Sequence, residues 1–144
     1  MKAVNRVINY SGVIVFAIFA WLQREDDNPE IYTNPSMVDV WLWIGFYSLV
    51  SVSFLLANFD KFPKWLYLLI VALGIYFMAF TVKGFIINLS NEEFNITKEA
   101  MNPQQPHVET TREFFGTIIA LIAVGYLYLC SRKNLTEHSH LGRQ

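Results

Sequence analysis

Cysteine is nearly absent from this chain of 144 residues: Cys130 is the single one. One thiol can form neither an intramolecular disulfide nor a thiolate metal site, so Cys130 reads as a small apolar residue near a helix end, with a lipid anchor as the lesser reading. Charge is scarce too, at 16% of residues, and it is missing altogether from four long stretches. The sequence also lacks H-E-x-x-H and G-x-S-x-G, which removes the common signatures of zinc proteases and serine hydrolases. Its three histidines are His107, in a polar loop with no fixed partner, and His138 and His140, in a C-terminal tail.

The four charge-free stretches are Val7 to Gln23, Val40 to Phe59, Trp65 to Val82 and Phe114 to Ser131, each about 17 to 20 residues long. That is the length a helix needs to cross roughly 30 Å of hydrocarbon at 1.5 Å rise per residue. With 53% hydrophobic residues and a mean hydropathy of +0.31, the chain reads as all-α, a polytopic membrane protein built as a four-transmembrane-helix bundle. One membrane domain, residues 1–144, is expected, with helices at about 5–23, 37–59, 64–89 and 111–131. Loops 24–36 and 90–110 lie at one face, and a tail covers 132–144. The first stretch follows Lys2 and Arg6 as a signal peptide would, but Ala17 and Ala20 are spaced A-x-x-A and are followed by bulky Trp21, so it is read as a retained helix.

Net charge is only −1, yet the charges are sorted by side. The N-terminus, the second connection and the C-terminal tail carry Lys2, Arg6, Lys61, Lys64, Arg132, Lys133 and Arg143 against Asp60 and Glu137, a net of +5. The opposite side carries Arg24, Lys83, Lys98 and Arg112 against ten acids, a net of −6. The Lys and Arg excess places both termini in the cytoplasm; if the chain is bacterial, the cell or inner membrane is the expected location. The acidic pole then faces away from the cytoplasm.

That pole gathers the candidate site residues. Gln23, Glu25, Asp26, Asp27 and Asn28 end the first helix. Glu109, Arg112 and Glu113 open the fourth on one face with Gly116, at i, i+3, i+4 and i+7, and Ala120 continues the seam. Lys83 stands near the same interface, where it snorkels or meets the carboxylates. Each has a bland alternative. Thr110 and Glu113 have the capping-box spacing, Ser36 and Asp39 are spaced S-x-x-D before the second helix, and Asn28-Pro29 and Asn34-Pro35 suit helix starts. Trp41, Trp43 and Tyr47 read as an interfacial belt, and Ser48, Ser51 and Ser53 as hydroxyls returned to their own helix. Arg112 is expected to pair with a carboxylate of Glu25 to Asp27, with an amide hydrogen bond from Gln23. Asn88-Leu89-Ser90 and Asn95-Ile96-Thr97 match the glycosylation sequon.

The order of these features resembles the transmembrane protein 220 family: Gln23 to Pro29 after a first helix, Trp41 to Tyr47 opening a second, Glu109 to Gly116 opening a fourth. The family's first motif usually reads Q-x-N-D-P-D. Gln23 and Asp26 match it, while Glu25, Asp27 and Asn28 stand in place of its Asn, Pro and second Asp, with Pro29 following. The resemblance implies a small four-helix membrane protein and brings no mechanism.

Three function classes fit. The preferred one is a non-enzymatic membrane protein whose acidic pole binds a partner, a lipid headgroup or a cation. The second is a membrane-surface enzyme using the carboxylates near Asp26 and Glu113 as general acid and base or as ligands to a hard cation. The third is a small transporter or channel subunit, although no span carries a charge near its centre or a proline within it. Membrane lipids are the expected contacts, with a membrane-protein partner or a second copy of the chain beside them. Nothing points to nucleic acid, and the residues name no cofactor.

Overall fold

Inside hydrocarbon every backbone polar group must be met within the protein, and an apolar run of about 17 to 20 residues meets its own as a helix. All four runs are helical: α1 (Lys2–Leu22), α2 (Met37–Ala57), α3 (Lys64–Ser90) and α4 (Pro106–Leu141). The computed structural model describes residues 2–30, 32 and 36–141, with side chains described for 5–30, 32 and 36–132. Among the described residues there is no strand, and four segments are long and apolar enough to span a bilayer: Asn5–Glu25, Met37–Ala57, Lys64–Ser90 and Pro106–Arg132. The chain is an integral, multi-pass membrane protein, and the outward apolar side chains of its helices contact lipid.

The bundle is two antiparallel hairpins. α1 packs along α2 and α3 along α4, while α2 also touches α3 and α4; α1 and α4 do not pack along each other. The short turn after α2 is closed by a Schellman arrangement. Asp60 has φ 55°, Lys61 N–H donates to Leu56 C=O at 3.0 Å, and Asp60 N–H donates to Ala57 C=O at 3.2 Å. α2 therefore stops at Ala57, two residues before the expected Phe59.

Aromatic rings fill the centre. Trp43 stacks on Phe77 at 4.1 Å, and Phe16 stacks on Phe54 at 5.7 Å. Here the belt reading needs correcting. Trp41 is 64% exposed, as an interfacial anchor would be, but Trp43 and Tyr47 are each 3% exposed and belong to the core with Phe46 and Val50. The i, i+4 spacing of Trp43 and Tyr47 turns both towards the other helices. Trp21 and Trp65 are equally exposed, and Arg24 lies over the Trp21 ring at 4.3 Å. The serines divide as well. Ser53 returns its hydroxyl to Leu49 C=O at 2.8 Å, whereas Ser51 donates to Val13 C=O of α1 at 2.9 Å, joining two helices rather than its own turn. Such a bond is worth on the order of 0.6 kcal/mol in a membrane protein.

α4 is longer than expected at both ends. It starts at Pro106, whose fixed φ and missing N–H suit the first helical position, so Thr110 and Glu113 lie inside the helix. Thr110 donates to Pro106 C=O at 3.1 Å and cannot act as the cap of a box. The backbone stays helical through Leu141, because Ser131 to Leu141 contains neither proline nor glycine. Ser36 holds the N-cap position of α2 with an extended backbone but makes no side-chain capping bond. The Asn34-Pro35 step lies outside the described residues, as do the side chains of His138 and His140.

Candidate functional site: a cavity between the first and fourth helices

Because α1 and α4 belong to different hairpins, the bundle opens between them at the end that carries both long connections. A cavity of about 500 Å³ lies there. The last turns of α1 supply Phe19, Leu22 and Gln23, and the following turn supplies Asp26. The first turns of α4 supply Glu109, Arg112, Glu113, Phe115, Gly116 and Ile119. Tyr47 of α2 closes the back, with Tyr32 and Ile96 reaching in from the loops. The polar groups sit towards the loops. Leu22, Phe115 and Ile119, all exposed, form the side that meets hydrocarbon.

Local chemistry sets each polar group. A 3-10 turn, Gln23–Glu25, follows α1 and carries Asp26 past the helix end. Asn28 then accepts Glu30 N–H on its side chain at 2.9 Å and Tyr32 N–H on its carbonyl at 3.0 Å, which brings Tyr32 back beneath the turn. The Tyr32 hydroxyl donates to Asp26 Oδ1 at 2.5 Å. Burial pushes the Asp26 carboxyl above its ordinary value, against the opposing pull of the Tyr32 hydrogen bond and the Arg112 charge. Burial, and then the Asp26 carboxylate, push the Tyr32 phenol upward as well. Tyr32 packs with Met101 and Val108 in a small apolar cluster that fastens both loops to α4. Gln23 Oε1 is buried and has no hydrogen-bond partner among the described residues.

The expected Arg112 pairing is replaced by another arrangement. Arg112 Nη1 donates to Met101 Sδ, and Arg112 acts on Asp26 through space. Glu25 instead meets Lys98 at 3.4 Å, with side chains 72% and 67% exposed, an ion pair worth about 0 to 1 kcal/mol at most. Of the nine candidate residues, Gln23, Asp26, Glu109, Arg112 and Glu113 line the cavity. Glu25, Asp27, Asn28 and Lys83 do not; Asp27 and Lys83 are exposed, and Asn28 serves its own turn. Tyr32, Tyr47, Met101 and Ile96 were not anticipated. Tyr47 was hidden by its likeness to a belt residue, and the other three sit in segments without periodicity.

A second space of about 490 Å³ lies among the loop residues and the start of α4, with Asn88, Asn91, Asn95, Asn102 and His107 on its walls. His107 does have a fixed neighbour there, since its Nε2 lies 3.0 Å from Asn91 Nδ2. Asn88 is buried and donates to Asn95 C=O at 2.6 Å and Thr111 Oγ1 at 3.1 Å. Its sequon is thus closed to a glycan in the folded chain. Among the described residues no group of three or more His, Cys, Asp or Glu is arranged to hold a metal ion.

A family model described as transmembrane family 220, helix, matches residues 15–129, from the middle of α1 to the last membrane turns of α4. No curated protein matches the chain, and no solved structure does.

Proposed function

The chain belongs to transmembrane family 220, and we propose that it is a non-enzymatic binding protein of the bilayer whose cavity between α1 and α4 takes the polar end of a lipid or similar amphiphile. The observation that carries this reading is the two-sided character of one cavity. Carboxylates, an amide, a guanidinium and tyrosines stand at its loop end, and Leu22, Phe115 and Ile119 at the side open to hydrocarbon. A volume of about 500 Å³ is in the range of small-molecule sites. A water-soluble ligand would have no use for an apolar wall facing lipid, whereas the acyl chains of a lipid whose headgroup enters the cavity need one. The charge sorting read from the sequence supports a cavity facing away from the cytoplasm, with both termini inside.

Photo-crosslinking tests the reading. A lipid with a photoreactive group next to its headgroup is expected to label the inner wall, at Phe19 and Tyr47. Ile119→Trp, which fills the open side from a position 46% exposed, is expected to remove that label. Labelling confined to outward residues such as Leu68 and Phe80, and unchanged by Ile119→Trp, would overturn it.

A further inference from the structure

The polar half of the cavity is unbalanced in its hydrogen-bonding groups. Gln23 Oε1 is a buried acceptor without a donor among the described residues. Asp26 accepts from Tyr32 on Oδ1 and carries a second oxygen, and the carboxyls of Glu109 and Glu113 share the same space. Ionised carboxylates only accept. Among the described residues the one cation lining the cavity is Arg112, and part of its guanidinium is directed to Met101 Sδ. Three carboxyls thus face one guanidinium, and the buried Gln23 Oε1 is met by no donor among the described residues. A buried acceptor left unmet costs about 1 to 3 kcal/mol, so a ligand that completes this site brings N–H groups and positive charge.

Resting on the reading of the cavity as an amphiphile site, we propose that its occupant carries a primary ammonium and a phosphate in one headgroup, the ammonium directed at Gln23 Oε1, Asp26 and Glu113 and the phosphate at Arg112. An –NH3+ group offers three donors, matching an amide oxygen and two carboxylates, one from the turn after α1 and one from α4. The rings of Phe19, Tyr47 and Phe115 line the same space and give a cation an apolar, π-rich surround. Arg112 is exposed, one turn before Gly116 on α4, so the part of its planar fork not directed to Met101 can meet a phosphate at the mouth. The acyl chains of that lipid leave along Leu22, Phe115 and Ile119. A trimethylammonium headgroup has the charge but no N–H, and leaves Gln23 Oε1 unmet. A glycerol headgroup has hydroxyl donors, but its lipid is anionic and meets three carboxyls against one guanidinium.

Native mass spectrometry of the whole chain in a non-ionic detergent decides, with equal concentrations of lipids that share acyl chains and differ only in a phosphoethanolamine, phosphocholine or phosphoglycerol headgroup. The phosphoethanolamine lipid is expected to be retained about tenfold over either competitor, equivalent to about 1.4 kcal/mol. Gln23→Met, which keeps the length and removes the amide, and Glu113→Gln are each expected to reduce that preference while leaving the thermal midpoint in detergent near that of the parent. Equal retention of all three lipids, abolished by Ile119→Trp, would overturn the ammonium assignment and leave the amphiphile site standing. Equal retention indifferent to Ile119→Trp would overturn both. Displacement of bound lipid by soluble phosphoethanolamine at the lipid's own concentration would overturn the lipid as the source of the headgroup.

Discussion

The Tyr47 hydroxyl fills the space that a side chain at Gly116 would need: a Cβ added there would collide with Tyr47 Oη, and its next neighbour, Tyr47 Cζ, would lie at 3.3 Å. This contact sets the distance between α2 and α4 at the back of the cavity. Gly116→Ala is expected to destabilise the bundle by about 1 to 3 kcal/mol, the usual range for overpacking. Tyr47→Phe in the same chain removes the obstructing atom and should recover most of that loss. Thermal unfolding of both single variants and the double variant in one detergent checks the coupling; losses that simply add would mean that Tyr47 is not what position 116 must avoid.

Asp26 gives a dependence on pH whose sign is fixed by burial. Its folded-state value is raised above the ordinary 3.8, so the folded chain binds the proton more tightly than the unfolded one. The stability it contributes is fully present below 3.8 and is lost as pH rises through the folded value. Asp26→Asn holds the neutral form at every pH and keeps an acceptor for Tyr32. That variant is expected to match or exceed the parent's thermal midpoint at pH 7 and to show a flatter profile through the acid range. A parent midpoint that climbs with pH across this window, and flattens in Asp26→Asn, would reverse the assignment.

Asn88 holds the loop to the start of α4 through Asn95 C=O and Thr111 Oγ1, and its own Oδ1 accepts Asn95 N–H at 3.3 Å. Asn88→Ala strands these partners and is expected to cost about 2 to 3 kcal/mol, since buried groups lose their bonds without gaining water. In a glycosylating host, mass spectrometry should find position 88 unmodified. A glycan at 88 on correctly folded chain would contradict the buried amide.

What was legible in the sequence, and what was not, follows from the range of the forces involved. The helices were legible because a continuous apolar run of about 17 to 20 residues has the length of a spanning helix and lacks the alternation of a barrel strand. The start of α4 was not, because T-x-x-E reads the same at a helix end and inside one; Pro106 was the better signal. Trp43 and Tyr47 lie near the interface in the sequence, where an aromatic faces lipid or bundle according to its neighbours. The partner that takes Trp43 inward is Phe77, on another helix. Within the candidate site, the Glu109, Arg112 and Glu113 face was visible from helical spacing. Met101 and Tyr32, which take Arg112 and Asp26, sit in connections whose path no local pattern records.

The last expectation is the orientation. Seven of the nine charged residues at the two termini and the 60–64 turn are basic, while ten of the fourteen on the other side are acidic. These connections are short enough for the Lys and Arg bias to act, and that bias rather than net charge sets topology. In the structure both long connections and the cavity share one end of the bundle, so a single labelling result orients all of them. Cys130→Ser removes the native thiol, and Ser36→Cys or Gln105→Cys then adds one at an exposed position of that end. An impermeant thiol reagent is expected to label either variant in sealed cells. Labelling only after the cytoplasmic side is opened would invert the chain and turn the cavity towards the cytoplasmic leaflet. The headgroups offered to Arg112 and Glu113 would then be those of the opposite monolayer, so this measurement also decides which leaflet supplies the ligand.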